Sequence, residues 1–79
     1  MKNKDEPPLL LRNNYDQMIQ MLIDARHEQG LSQPKLAHKI GCTESLVHKW
    51  EQHKRVPSGF FLMCWLDALG YDIEVKKKK

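Results

Sequence analysis

Glu44, Ser45, His48, Lys49 and Glu51 are the polar positions of a short segment, ESLVHKWE, whose apolar positions are Leu46, Val47 and Trp50. A carboxylate can accept from an exocyclic amine such as cytosine N4, a hydroxyl can donate or accept, and an ammonium can donate to guanine O6 or N7. Such groups meet base edges only if something holds them out from the body of the molecule. The surrounding residues 30–51, GLSQPKLAHKIGCTESLVHKWE, have the layout for it. Two short apolar-periodic segments join at a Gly41-Cys42-Thr43 corner; the first opens on Ser32-Gln33 and the second ends in Trp50-Glu51. The pattern predicts a helix-turn-helix, whose second helix enters a DNA major groove.

The elements that must position this segment can be read on either side of it. A first helix should start at Asn13 or Asn14, because Asn14 and Gln17 have the spacing of a capping box. Tyr15, Met18, Ile19, Leu22, Ile23 and Ala25 recur at three- and four-residue steps, so one face is buried, and Gly30 closes the helix. Ser32 caps the second helix, Pro34 fits its first turn, Leu36, Ala37 and Ile40 point inward, and Gly41 ends it. Thr43 caps the third, which buries Val47 and Trp50. Leu46 lies on the border and is better suited to the core than to a thymine methyl. After a basic loop, QHKRVP, Ser58 caps a fourth helix with Phe61, Leu62, Trp65, Leu66 and Leu69 on one face and Gly70 at its end. Tyr71, Ile73 and Val75 alternate with Asp72 and Glu74, a period of two that predicts a strand. The expected organisation is a flexible arm over 1–12, a DNA-binding domain over 13–70, a dimerising strand over 71–75 and a basic tail over 76–79.

Size and charge bound the rest. Seventy-nine residues make one domain with one small core, which gains most from association. The formal charge is +3, but four basic residues lie in the tail, so the body is near neutral and net charge alone does not point to nucleic acid. No apolar run approaches the roughly 20 residues that span a bilayer, and the N-terminal leucine run is too short for a signal peptide. A cytoplasmic protein with no membrane contact is expected, with Cys42 and Cys64 as reduced, buried thiols. No Gly-rich phosphate loop, nucleophile motif or paired carboxylates suggest an enzyme, so no catalytic residue is assigned. His27, His38, His48 and His53 lack zinc-ligand spacing with the cysteines and read as surface residues; no metal or cofactor is expected.

Taken together, Ala25-Arg26, Gly30-Leu31-Ser32-Gln33, Leu36-Ala37, Gly41, Val47, Trp50-Glu51, Pro57-Ser58 and Ala68-Leu69-Gly70 resemble the lambda-repressor-like (Cro/CI, Xre) regulators, with no insertion between them. The resemblance implies an all-α fold of four or five helices, with the C-terminal strand as an addition seen in a subset of the family. It implies base reading by Glu44, Ser45 and Lys49, and phosphate binding by Gln33 with Ser32, Lys35, Gln52, Lys54 and Arg55 around it. An acid in the first helical turn also favours the helix dipole, so Glu44 has two readings. Arg26 and Glu51 match a pair that ties the first helix to the end of the third. Two positions depart from the family pattern: His53 stands where glycine is common, and Glu44 where neutral or basic residues are.

The implied partner is double-stranded DNA, bound as a two-fold homodimer on a palindromic operator. Repression needs only occupancy of a promoter, which suits so short a chain. The strand needs an edge. Pairing with its two-fold mate, with Tyr71, Ile73, Val75 and Phe60 or Met63 in the seam, is preferred to pairing with residues 9–11 of its own chain. The alternative function is a protein-binding module, an antitoxin that buries a toxin away from its DNA face and represses its own operon. The lysine tail reads as solvated, with nonspecific phosphate attraction as its other role.

Overall fold

The computed structural model describes residues 9–78, with side chains from residue 11 onward; residues 1–8 of the expected arm and Lys79 of the expected tail lie outside it. Four helices follow in order: α1 (Leu9–Glu28), α2 (Gln33–Ile40), α3 (Glu44–Glu51) and α4 (Gly59–Ala68). The chain is therefore all-α, as expected. No helix among the described residues is long and apolar enough to cross a membrane.

The core forms where the apolar stripes of all four helices meet. Ile19, Leu22 and Ala25 come from α1, Leu36, Ala37 and Ile40 from α2, Val47 and Trp50 from α3, and Trp65 and Leu66 from α4, with Leu69 just beyond. α2 packs on both α3 and α4, and α1 meets α3. Two indoles dominate: Trp50 and Trp65 stack with centroids 5.5 Å apart, and Phe61 tilts against Trp50 at 5.7 Å. Burying roughly 150–250 Å² on each indole, at about 25 cal/mol per Å², gives an upper bound of about 4–6 kcal/mol apiece. In so small a domain these two rings decide the packing.

The helix ends follow local chemistry. Ser32 and Ser58 cap α2 and α4, their hydroxyls accepting from the Lys35 and Phe61 N–H groups at 3.2 and 3.1 Å. Thr43 occupies the cap of α3 but makes no side-chain cap bond; its carbonyl takes the Leu46 N–H at 3.1 Å instead. At Gly41 the backbone is left-handed, φ 88°, and the corner turns on the Gly41 and Cys42 N–H groups, both bonded to the Ala37 carbonyl.

Two expectations are corrected, and a third, the C-terminal strand, is not shown in this single chain. α1 begins at Leu9, not at Asn13 or Asn14, so the arm is shorter than 1–12 and the Asn14–Gln17 capping box does not form. Leucine and arginine have higher helix propensity than asparagine, and Leu9-Leu10-Leu11-Arg12 extend the helix back toward Pro7-Pro8. Residues 71–75 form no strand in this single chain, and all five are exposed. Pairing with residues 9–11 is closed to them, because those residues are helical and their carbonyls accept within α1. Cys42 and Cys64 are free, but half-buried rather than buried.

Candidate nucleic-acid interface

α3 is gripped along one side and free along the other. Val47 is fully buried, Trp50 is 2% exposed, and Leu46 is half-buried at the border. Glu44, Ser45, His48 and Lys49 are all exposed. A groove of about 490 Å³ is bordered by Leu11, Tyr15 and Val56, and by no α3 residue. The polar side chains of α3 therefore stand on an outward surface, suited to meeting another surface rather than to enclosing a small molecule.

The end of α3 is fixed by a buried ion pair. Arg26 Nε lies 2.6 Å from Glu51 Oε2, its Nη2 donates to Oε1 at 2.8 Å, and its Nη1 donates to the Leu31 carbonyl at 2.8 Å. The two side chains are 8% and 6% exposed, so solvent screens them little. One guanidinium thus joins α1, the α1–α2 turn and the last residue of α3. A planar fork can hold a carboxylate in one orientation, which a lysine could not do.

Gln33, at the first position of α2, is built into the same cluster. Its Nε2 donates to Glu51 Oε1 at 3.0 Å, and its Oε1 lies 3.3 Å from His48 Nδ1. A side-chain amide nitrogen carries two hydrogens, so one remains available after the bond to Glu51. The Gln33 links to Glu51 and His48 are not visible in sequence. They join residues 18 and 15 apart, and they exist only once α2 has packed on α3.

The loop after α3 brings its basic residues back to the helix. The Lys54 and Arg55 N–H groups both reach the Lys49 carbonyl, at 2.9 and 3.3 Å, and the His53 N–H reaches Trp50 at 3.2 Å. This closure requires His53 in the left-handed region, and its φ is 59°. Its ring nitrogen Nδ1 lies 3.5 Å from Asp16 Oδ1, linking the loop to α1. Gln52, Lys54 and Arg55 are exposed, as are Ser32, Lys35 and Lys39 on α2. Between residues 32 and 55 the cations Lys35, Lys39, Lys49, Lys54 and Arg55 face only Glu44 and Glu51, and Arg26 already neutralises Glu51. The local surface is thus more basic than the whole chain.

The residues expected at a dimer seam are exposed as well: Phe60 is 72% accessible, Met63 55%, Tyr71 39%, Ile73 47% and Val75 92%.

A helix-turn-helix family model matches residues 22–76, which includes all of α2, α3 and α4. No curated protein and no solved structure matches the chain.

Proposed function

Because this chain belongs to the lambda-repressor-like helix-turn-helix family and is a DNA-binding transcriptional regulator of that type, we propose that it is a repressor. It acts as a two-fold dimer on a palindromic operator. The observation that carries this reading is α3 itself. Val47, Trp50 and the Arg26–Glu51 pair hold one side of it rigid, while Glu44, Ser45 and Lys49 stay exposed on the other.

In this reading Lys49 donates to guanine O6 or N7, Ser45 bonds either kind of edge, and Glu44 accepts from cytosine N4. The second Nε2 hydrogen of Gln33 reaches a phosphate, where the positive end of α2 adds to the attraction. Ser32, Lys35, Gln52, Lys54 and Arg55 supply the remaining backbone contacts. These contacts set register and carry most of the affinity, whereas the base contacts carry the discrimination.

Dimerisation is supported by the apolar side chains left uncovered on α4 and after it. Phe60 with Tyr71, Ile73 and Val75 would form the seam, and residues 71–75 would gain strand pairing only when a second copy supplies the edge. The same uncovered side chains favour the second reading, an antitoxin that buries them against a toxin.

Selection of bound sequences from a random duplex pool tests the proposal. A palindrome with half-sites about 34 Å apart is the expected result. Enrichment of single, unrepeated half-sites would remove the dimer. A protein that ignores duplex DNA at low salt but captures a partner through Phe60 and Ile73 would support a protein-binding module alone.

A further inference from the structure

The bonds around Glu51 fix more than the pitch of α3. Glu51 takes Arg26 on both oxygens and the Gln33 amide on Oε1. A carboxylate bound in this way is only an acceptor, so Gln33 must present its nitrogen to it and turn its oxygen toward His48. That oxygen lies 3.3 Å from His48 Nδ1 and has no proton to give. Nδ1 must therefore carry the proton. In the neutral ring, Nε2 is then left bare, with its lone pair directed away from Gln33.

His48 is exposed on α3, one turn beyond Glu44 and Ser45 and beside Lys49. We propose that His48 is a further specificity-determining residue of this helix, its Nε2 accepting from the exocyclic amine of adenine or cytosine. The inference rests on the DNA-binding reading above. An unrestrained neutral imidazole exchanges its proton between the two nitrogens, so it can present either a donor or an acceptor and discriminates poorly. Holding the proton on Nδ1 leaves only an acceptor outward. An acceptor meets the adenine N6 and cytosine N4 amines and opposes guanine O6, guanine N7 and thymine O4. Gln33 is the positioning residue in this scheme, and Arg26 and Glu51 hold Gln33. The chain converts a buried charge pair into a defined hydrogen-bonding character on the outer surface of the reading helix.

Two measurements on the full chain test it. Nitrogen-15 spectra of the imidazole rings at about pH 8 should show His48 as the Nδ1–H form, moving toward the Nε2–H form in Gln33→Ala. Duplex selection with the unaltered protein should enrich adenine or cytosine at one position per half-site. His48→Ala, which alters only an exposed side chain, should lose about tenfold discrimination at that position and keep its preferences elsewhere. An Nε2–H tautomer in the unaltered protein, or an unchanged preference in His48→Ala, overturns the proposal while leaving DNA binding intact. If the unaltered protein enriches no sequence at all, the DNA-binding reading fails and this proposal fails with it.

Discussion

Arg26 holds Glu51 through both carboxylate oxygens, at 2.6 and 2.8 Å, with each side chain less than a tenth exposed. Burying two charges is expensive, and their attraction roughly repays the desolvation when the geometry is this good. The pair therefore adds orientation more than net stability. Removing one partner is a different matter, because the other is left charged and buried. Glu51→Ala is expected to lower folding stability by about 3–5 kcal/mol. Arg26→Met with Glu51→Met should recover most of that loss. Chemical denaturation of the three proteins checks this ordering; a double variant no more stable than Glu51→Ala would refute it.

The turn after α3 offers a gain in stability. His53 has φ 59°, in a region that costs an L-residue roughly 1–2 kcal/mol, while its contact with Asp16 at 3.5 Å is solvent-exposed and worth little. Glycine removes the steric cost but adds freedom to the unfolded chain. His53→Gly should therefore stabilise by about 0.5–1 kcal/mol net, a rise of several degrees in Tm for a domain of this size. The reverse change at the other corner, Gly41→Ala, should destabilise. An added Cβ there meets no neighbour within 4 Å, so any loss reports the backbone conformation alone. Thermal melts followed by circular dichroism compare the two.

Much of this arrangement is legible in the sequence, for reasons that are local. Gly30, Gly41 and Gly70 all have positive φ, and Ser32 and Ser58 both cap, because each signal acts within a few residues of itself. Val47 and Trp50 on one side of α3, with Ser45 and Lys49 on the other, follow from a period of 3.6. The start of α1 departs from the Asn14–Gln17 spacing because a run of stronger helix formers, Leu9 to Arg12, precedes it and prevails. The alternation over residues 71–75 predicts how a strand would be faced, but pairing needs an edge from elsewhere. Gln33 was legible as a residue at the head of α2. Its bond to Glu51 was not, since that contact is set by how two helices pack.

Tyr15 carries a small fault in the packing. Its hydroxyl is buried with no hydrogen-bond partner, an arrangement that costs about 1–3 kcal/mol. Burial, and secondarily the charge of Asp16, push its pKa above the ordinary 10.0. The raised value means the neutral phenol is favoured in the folded state. The associated stability is complete below the unfolded-state pKa and is lost as pH rises through the folded one. Tyr15→Phe should be at least as stable as the natural protein at neutral pH, by about 1 kcal/mol, and should lose less stability above about pH 10. Urea titrations on either side of that pH provide the check, and a Tyr15→Phe protein that is markedly less stable at neutral pH would point to a hydroxyl partner.

Salt dependence separates phosphate contacts from base contacts. If each subunit neutralises three or four phosphates, the dimer should show a slope of log affinity against log salt of about −5 to −7. The basic loop is folded onto α3 through the Lys49 carbonyl, so the Lys54 backbone is held beside that helix. Lys54→Ala removes two contacts from a dimer, one per subunit, and should flatten the slope by about 2 while leaving base preference unchanged. Lys49→Ala should instead weaken discrimination at a guanine by about 1–3 kcal/mol, with a smaller change in slope. Fluorescence anisotropy on the selected duplex, titrated across a range of salt, measures both. Equal changes in slope with no change in base preference for the two variants would assign Lys49 to the phosphates and remove it from the reading set.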